Sequence, residues 1–208
     1  MKSIFGLGAI LAVFAASHTA LASPIGSTLI YNLTDGGACS GGCGTAPFGT
    51  ITLTQTSADD VTVSVALTNG FFIQTGGPHE TFGFSIAGDP AITMSSFSNS
   101  HFSTDTTFSG AGYNYGVHGP APNVHCCSTF SFVVALKTPG ALSITSFGQN
   151  FEADMFSNAT GNGGEVTGNG ACVGGSVCGS SAPEPVSLAL TGSGLVALLL
   201  LRRRTRRG

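Results

Sequence analysis

Residues 48–69 read FGTITLTQTSADDVTVSVALTN, and they contain the clearest structural pattern in the chain. Ile51 and Leu53 alternate with threonines, and after a break at residues 57–60 four apolar residues alternate with Thr, Ser and Ala. A period of two with polar residues on the other face is typical of half-buried antiparallel strands. The stretch therefore predicts a hairpin, which Asn69 and the following glycine end with turn chemistry.

Similar short strands are predicted on both sides of this hairpin. They cover residues 28–34, 71–74, 81–87, 91–97, 101–108, 128–137 and 141–147. Residues 128–137 carry apolar side chains on both faces, so we expect that strand to be central. About eight to ten strands with frequent turns predict an all-β, antiparallel β-sandwich or jelly-roll-like domain. The 15 phenylalanines would supply most of its core.

The first 22 residues have the organisation of a secretory signal peptide. One lysine follows Met1, residues 4–16 are apolar, and Ala20-Leu21-Ala22 matches the small-x-small rule. We expect signal peptidase to cut between Ala22 and Ser23. A first transmembrane helix is the alternative, but the apolar run is short for a span and ends in a cleavage site.

A second apolar segment lies near the other end of the chain. Residues 186–201 carry no charge, and they follow Pro183, Glu184 and Pro185. Five arginines come next: Arg202, Arg203, Arg204, Arg206 and Arg207. A bilayer core needs about 20 apolar residues, so this segment is slightly short. Because arginine clusters stay in the cytoplasm, the pattern predicts a short transmembrane helix with the Arg-rich end inside and the preceding chain outside.

These three parts, in this order, resemble the PEP-CTERM sorting signal of exported bacterial proteins. The resemblance is limited to residues 183–208. It implies a Gram-negative setting in which an exosortase-type membrane peptidase recognises Pro183, Glu184 and Pro185 and removes the tail. It also implies a precursor anchored in the inner membrane, whose product reaches the cell surface or the extracellular matrix. An ordinary C-terminal anchor is the alternative interpretation.

The body between these segments, residues 23–182, is acidic. It contains nine Asp and Glu residues and one basic residue, Lys137, so its net charge is 1 − 9 = −8. This charge argues against binding nucleic acid or anionic lipid. We divide the body into a β-domain of residues 23–160 and a Gly-rich flexible stalk of residues 161–182. The stalk composition does not bury enough surface to order itself.

Six cysteines, an even number in an exported chain, predict disulfides. They are Cys39, Cys43, Cys126, Cys127, Cys172 and Cys178. The first pair and the last pair can each close a small Gly-rich loop. Adjacent cysteines rarely bond to each other, so we expect Cys126 and Cys127 to bond elsewhere, for example to the first pair. The sequence leaves the connectivity open among 15 possibilities.

A metal site is the rival interpretation of the middle cysteines, because His118 and His125 lie close to them in sequence. The oxidising compartment and the lack of a Cys-x-x-Cys motif favour disulfides, so we predict no metal and no cofactor. Calcium binding at Asp59, Asp60 and Asp89 is a further option. The chain has no calcium-binding repeat, however, and acids near turns are usually solvated.

Carboxylate pairs are the candidates for acid–base chemistry. Glu152 and Asp154 would share one face if residues 151–156 form a strand. Further candidates are Glu80 beside His79, the pair Asp59 and Asp60, and Asp105. Since the chain contains no recognisable hydrolase motif, we predict no enzyme activity and no catalytic residue.

Taken as a whole, the sequence predicts an exported, non-enzymatic β-protein. Its expected role is a structural or adhesive component of the cell surface or of an exopolysaccharide matrix. A carbohydrate-binding module is the first alternative, and it needs exposed rings at Tyr31, Tyr113 and Tyr115. A secreted hydrolase, such as a glycoside hydrolase, is the second, with Glu152 and Asp154, or His79 and Glu80, as its acid–base pair.

Overall fold

A computed structural model describes residues 22–37, 39, 42–75, 80–105, 113–120 and 124–169 of the chain. Within them lie eleven strands: β1 (Thr28–Leu33), β2 (Gly49–Gln55), β3 (Asp60–Leu67), β4 (Phe71–Ile73), β5 (Phe82–Ile86), β6 (Ile92–Ser95), β7 (Ser103–Asp105), β8 (Tyr115–His118), β9 (Thr129–Leu136), β10 (Phe147–Ser157) and β11 (Gly163–Asn169). A 3₁₀ helix, Ile144–Ser146, completes the elements. The strands form two sheets, and every pairing between them is antiparallel. The predicted all-β antiparallel class is confirmed.

The first sheet has five strands in the order β1-β2-β3-β9-β6. β2 and β3 are the predicted hairpin, with Leu53 opposite Val63 and Ile51 opposite Val65. Buried and less buried residues alternate along both strands, as the period of two requires. β9 pairs with β3 on one side and β6 on the other, so its expected central position is confirmed.

The second sheet has the order β11-β10-β5-β8-β7, and β4 pairs with the end of β10. β10 is the longest strand, and it is flanked on one side by β11 and on the other by β5 and β4. Phe151, Ala153 and Met155 of β10 are buried in the core. Because side chains alternate along a strand, Glu152 and Asp154 lie on the opposite face.

Aromatic side chains join the two sheets in one core. Phe82 of β5 contacts Phe130 and Phe132 of β9, with ring centroids 5.8 and 6.0 Å apart. Tyr31 of β1 contacts Phe151 of β10 at 4.8 Å. These are favourable separations for tilted and edge-to-face rings. The two sheets therefore pack face to face, and phenylalanine supplies much of the core as predicted.

A buried glutamine shapes the connection that follows β9. The sequence predicts a strand over residues 141–147, but the 3₁₀ helix occupies most of that range and β10 begins only at its end. The Gln55 side chain is 0% exposed, donates to Leu142 O at 2.6 Å and accepts from Ile144 N at 3.0 Å. This side chain satisfies backbone groups that a strand would have paired with a neighbouring strand. The predicted strand is therefore wrong.

The predicted stalk begins too early. Its residues 163–169 form β11, which pairs with β10, and Val166 is fully buried. The glycines of β11 permit close packing, since a Cβ added at Gly168 would lie 2.7 Å from Asn32 O. Composition alone indicated flexibility, whereas the fold uses these glycines to bring backbones together. The β-domain therefore extends to residue 169 and does not end at residue 160.

Several predicted segments lie outside the described residues. They are residues 1–21 of the signal peptide, Cys172 and Cys178, the rest of the stalk, and the sorting tail of residues 183–208. In the part of the chain that is described, no helix is long and apolar enough to cross a bilayer. Ser23, the residue after the predicted signal cleavage, places its Oγ 2.7 Å from Ser143 Oγ. This contact ties the start of the body to a buried serine of the domain.

Candidate functional site

Glu80, Asp105 and His118 meet at one side of the second sheet, and we call them the acid–histidine cluster. Asp105 ends β7, His118 ends the neighbouring β8, and Glu80 lies two residues before β5. His118 Nδ1 is 3.2 Å from Glu80 Oε2, and His118 Nε2 is 3.7 Å from Asp105 Oδ1. One ligand-type atom from each residue lies within 4.8 Å of the others. Within the described residues, this is the one group of three or more His, Cys, Asp or Glu side chains that can hold a metal ion.

The two carboxyl groups of this cluster are buried, whereas the imidazole is half exposed. The side chains of Glu80 and Asp105 are 8% and 2% exposed, against 52% for His118. Burial, followed by the hydrogen bond to Asp105 and the charge of Asp105, raises the pKa of Glu80 to about 8. Without a bound cation, Glu80 therefore keeps its proton at neutral pH.

Two threonines and a glycine hold the backbone beside the cluster. Thr75 Oγ1 and Thr81 Oγ1 are 2.6 Å apart and buried. A Cβ added at Gly119 would overlap Thr81 Oγ1, so this position requires glycine. Thr81 follows Glu80 and Gly119 follows His118 in the chain. Their close contact therefore fixes the distance between the two cluster residues.

A second acidic group lies on the same sheet. It consists of Glu152 and Asp154 of β10 and Glu165 of β11, which we call the β10 carboxylates; Asp154 is opposite Glu165. Glu152 and Asp154 share a strand face as predicted, but they are only 7% and 2% exposed. Asp154 Oδ1 accepts a hydrogen bond from Gln74 Nε2 at 3.1 Å. The prediction placed these acids on a strand and did not anticipate their burial.

The neighbours of Glu152 change its ionisation. Burial first, then the charge and hydrogen bond of Glu165, and then the charge of Asp154 raise the pKa of Glu152 to about 7. Burial and the charges of Glu152 and Glu165 raise the pKa of Tyr113 to about 12, so this phenol also lies close to the acids. A carboxyl group that titrates near neutrality has the protonation behaviour of a general acid or base.

Both acidic groups face the same side of the sheet. Strand pairing places Asp105, Gly116, Gly83 and Glu152 in one row across β7, β8, β5 and β10. Cross-strand partners share a face, and three strand spacings put the outer two Cα atoms roughly 14 Å apart. Both glycines are buried, so the strip between the two acids is not open to solvent.

The described cysteines pair locally. Cys39 bonds to Cys43, with Cα atoms 5.6 Å apart, and Cys126 bonds to Cys127. No described cysteine is free. The expectation that adjacent Cys126 and Cys127 bond elsewhere is therefore wrong. A local turn favours the first disulfide, because Gly42 N donates to Cys39 O at 3.1 Å and thereby brings Cys39 and Cys43 together. Neither of these two cysteines is then available to bond to Cys126 or Cys127.

The histidines and cysteines near residue 125 do not converge on a metal site. The disulfide uses both thiols, and the His125 ring stacks on Phe156 with centroids 3.7 Å apart. His118 lies instead against Glu80 and Asp105. The predicted partner of Glu80, His79, lies outside the described residues.

The turn acids have local partners. Ser57 Oγ is 2.9 Å from a carboxylate oxygen of Asp59 and of Asp60, and the backbone nitrogens of both residues donate to it. Such hydrogen bonds stabilise a turn. Asp89 lies in a different turn, after β5, with a φ of 47°.

Two of the three tyrosines are part of the packed interior. Tyr31 is 2% exposed, and Tyr115 packs on Phe84 with ring centroids 5.4 Å apart. The Tyr115 hydroxyl also donates to Pro90 O at 2.6 Å. Tyr113 is partly exposed. The three rings therefore do not form the exposed row that a carbohydrate-binding face needs.

Comparisons of the chain with protein-family models, curated proteins and solved structures found no match.

The acid–histidine cluster could not be assembled from the sequence because β8 was not assigned as a strand. β8 has four residues, one of them Gly116, and lacks the Thr/Val alternation of β2 and β3. It lies between β5 and β7 and thereby joins Glu80, Asp105 and His118, which the sequence offered only as separate candidates. The sequence property that could have indicated such a cluster is the charge, since a body with nine acids and one lysine has few ways to neutralise a buried carboxylate.

Proposed function

We propose that this protein is an exported, non-enzymatic β-sandwich of jelly-roll-like type that serves as a structural or adhesive component of the cell surface or exopolysaccharide matrix. The tripartite tail carries this proposal: Pro183-Glu184-Pro185, the apolar residues 186–201 and the Arg cluster. The apolar segment is slightly short for a stable span, which suits a segment that a membrane peptidase removes.

The cysteines of the body support export. The four that are described are all in disulfides, which form and persist in oxidising compartments.

The two ends of the chain act in sequence in this proposal. Signal peptidase releases Ser23, while residues 186–201 hold the precursor in the inner membrane. An exosortase-type peptidase then acts at Pro183, Glu184 and Pro185. The 13 residues between β11 and the motif (170–182) reach at most about 45 Å when fully extended, which keeps the domain close to the membrane until cleavage.

Intact-mass analysis of the protein from cells and from medium tests this proposal. We expect the released form to have lost residues 1–22 and the Arg-rich tail, and to contain no free thiol. Glu184→Ala is expected to block tail removal, whereas Ser187→Ala, outside the motif, leaves it unchanged. A mass that retains the Arg cluster in every fraction would leave only the ordinary-anchor interpretation.

A secreted hydrolase is the second candidate, favoured by one observation. Glu152 is buried and has a pKa near 7, as the general acid of a glycoside hydrolase requires. Incubation of the protein with exopolysaccharide from the same cells, followed by analysis of released sugars, tests it. Product release by the wild type that Glu152→Gln abolishes and Asp59→Asn retains would favour this candidate over the non-enzymatic role.

A further inference from the structure

We propose that the acid–histidine cluster binds one divalent first-row transition-metal ion, with Glu80, Asp105 and His118 as its protein ligands. The three side chains come from three different segments, and their donor atoms are already within 4.8 Å of one another. This proposal does not depend on the sorting proposal, because it concerns the folded domain alone.

The body of the chain has little positive charge to offer the buried acids of the cluster. Glu80 and Asp105 are buried side by side, and burying a carboxylate is costly unless an opposite charge compensates it. The body contains no arginine, and its single lysine, Lys137, follows β9 of the other sheet. For both carboxyl groups to be ionised together, two positive charges are needed, and His118 supplies at most one. A divalent cation supplies both.

The position of Glu80 Oε2 also favours a bound cation. Glu80 Oε2 is buried and makes no hydrogen bond to any described residue. It faces His118 Nδ1 at 3.2 Å, so it points into the cluster. A buried acceptor oxygen without a hydrogen bond costs about 1–3 kcal/mol in general. Coordination to a metal ion satisfies such an oxygen.

The donor set indicates the class of ion. One imidazole nitrogen and two carboxylate oxygens suit Zn²⁺, Mn²⁺ or Fe²⁺, whereas Ca²⁺ prefers a shell made of oxygen alone. His118 is half exposed while the acids are buried, so the imidazole lies on the solvent side, from which an ion can enter. The contact between Thr81 and Gly119 holds the ligands in place before binding.

The test uses the exported protein stripped with a chelator and titrated with Zn²⁺ alone in a calorimeter. We expect one ion per chain. Glu80→Gln and Asp105→Asn keep the side-chain size, and each is expected to weaken binding by at least about tenfold. His101→Ala is the matched control: this histidine lies exposed in the turn between β6 and β7, outside the cluster, and its loss should leave the affinity unchanged.

A measurement on the wild type keeps the proposal testable if these variants fold poorly. X-ray absorption of the Zn²⁺-loaded protein should show one imidazole among oxygen ligands. Binding below one ion per chain, a ligand shell without imidazole, or an affinity that Glu80→Gln leaves unchanged would overturn the proposal. Ca²⁺ binding that is indifferent to His118→Ala, with no Zn²⁺ binding, would also overturn it.

Discussion

Replacing Glu152 with glutamine should make the protein more stable at alkaline pH, and the size of the effect follows from the buried position of this carboxyl group. Its pKa is about 7 in the folded chain and 4.5 in the absence of perturbation. Between these values the unfolded chain releases the proton and the folded chain keeps it. The stability of the wild type therefore falls as pH rises from about 4.5 to about 7, and it levels off above that range.

The size of this loss of stability follows from the folded and unperturbed pKa values of Glu152. They differ by about 2.5 pH units, and each unit corresponds to about 1.36 kcal/mol, so the loss is roughly 3 kcal/mol at most. Glutamine has the same size and no charge, and it escapes this loss. In a domain of this length, 3 kcal/mol corresponds to a difference in Tm of roughly 6–12 °C.

Urea unfolding of the wild type and Glu152→Gln at about pH 4, 6 and 8 provides the assay. The difference in unfolding free energy between the two proteins should grow in favour of the variant by roughly 3 kcal/mol over that range. If the amide itself changes the unfolding free energy by a constant amount, that amount cancels, because the test compares the difference between the two proteins at different pH values. Asp59→Asn, in an exposed turn, serves as the control and should run parallel to the wild type. Parallel curves for Glu152→Gln would refute the reasoning.

Two further substitutions test the packing. Gln55→Ala removes the hydrogen bonds that hold Leu142 O and Ile144 N and leaves both groups buried without this partner, so the free energy of unfolding should fall by roughly 3–5 kcal/mol. Thr54→Ala, on the other face of β2, is the control and should lower it by less than about 1 kcal/mol. Equal losses for the two variants would contradict the role of Gln55. Gly168→Ala places a Cβ 2.7 Å from Asn32 O and should destabilise by about 1–3 kcal/mol. Gly148→Ala is its control, because a Cβ added there lies no closer than 3.4 Å to any atom beyond its chain neighbours. If thermal unfolding gives the two variants the same Tm, β11 does not pack as described.

The parts of the fold that could be predicted are those where side chains alternate. The threonine-and-valine pattern of β2 and β3 fixes which face is buried, and the structure follows it residue by residue. β8 and β11 instead lack this alternation, and β11 has three glycines among its seven residues, so their formation depends on neighbours distant in sequence. Glycine composition alone does not distinguish a flexible segment from one that lies tightly against another backbone, as Gly168 does against Asn32.

The sequence identified candidate acidic residues and the histidine, but it did not predict which of them meet in the folded domain. Alternation along one strand placed Glu152 and Asp154 together, because that inference needs only local geometry. The meeting of Glu80, Asp105 and His118 depends on the strand order β5-β8-β7, which no local pattern encodes. The pairing of Cys126 with Cys127 was missed for a related reason, since the general rarity of such a bond does not reveal that the other two cysteines are already joined.

The exposed Lys137, just after β9, has a practical consequence for anyone who looks for this protein by mass spectrometry. Trypsin cuts after lysine and arginine, and from Ser23 to the Arg cluster it finds only this position. Digestion of the precursor therefore yields residues 23–137 and 138–202, which are 115 and 65 residues long, and the form without its tail yields the same first fragment and a shorter second one. Fragments of this size escape routine peptide surveys, so a surface proteome prepared with trypsin would record the protein as missing even where it is abundant. A protease that cuts at aspartate or glutamate, of which the body has nine, would make it visible.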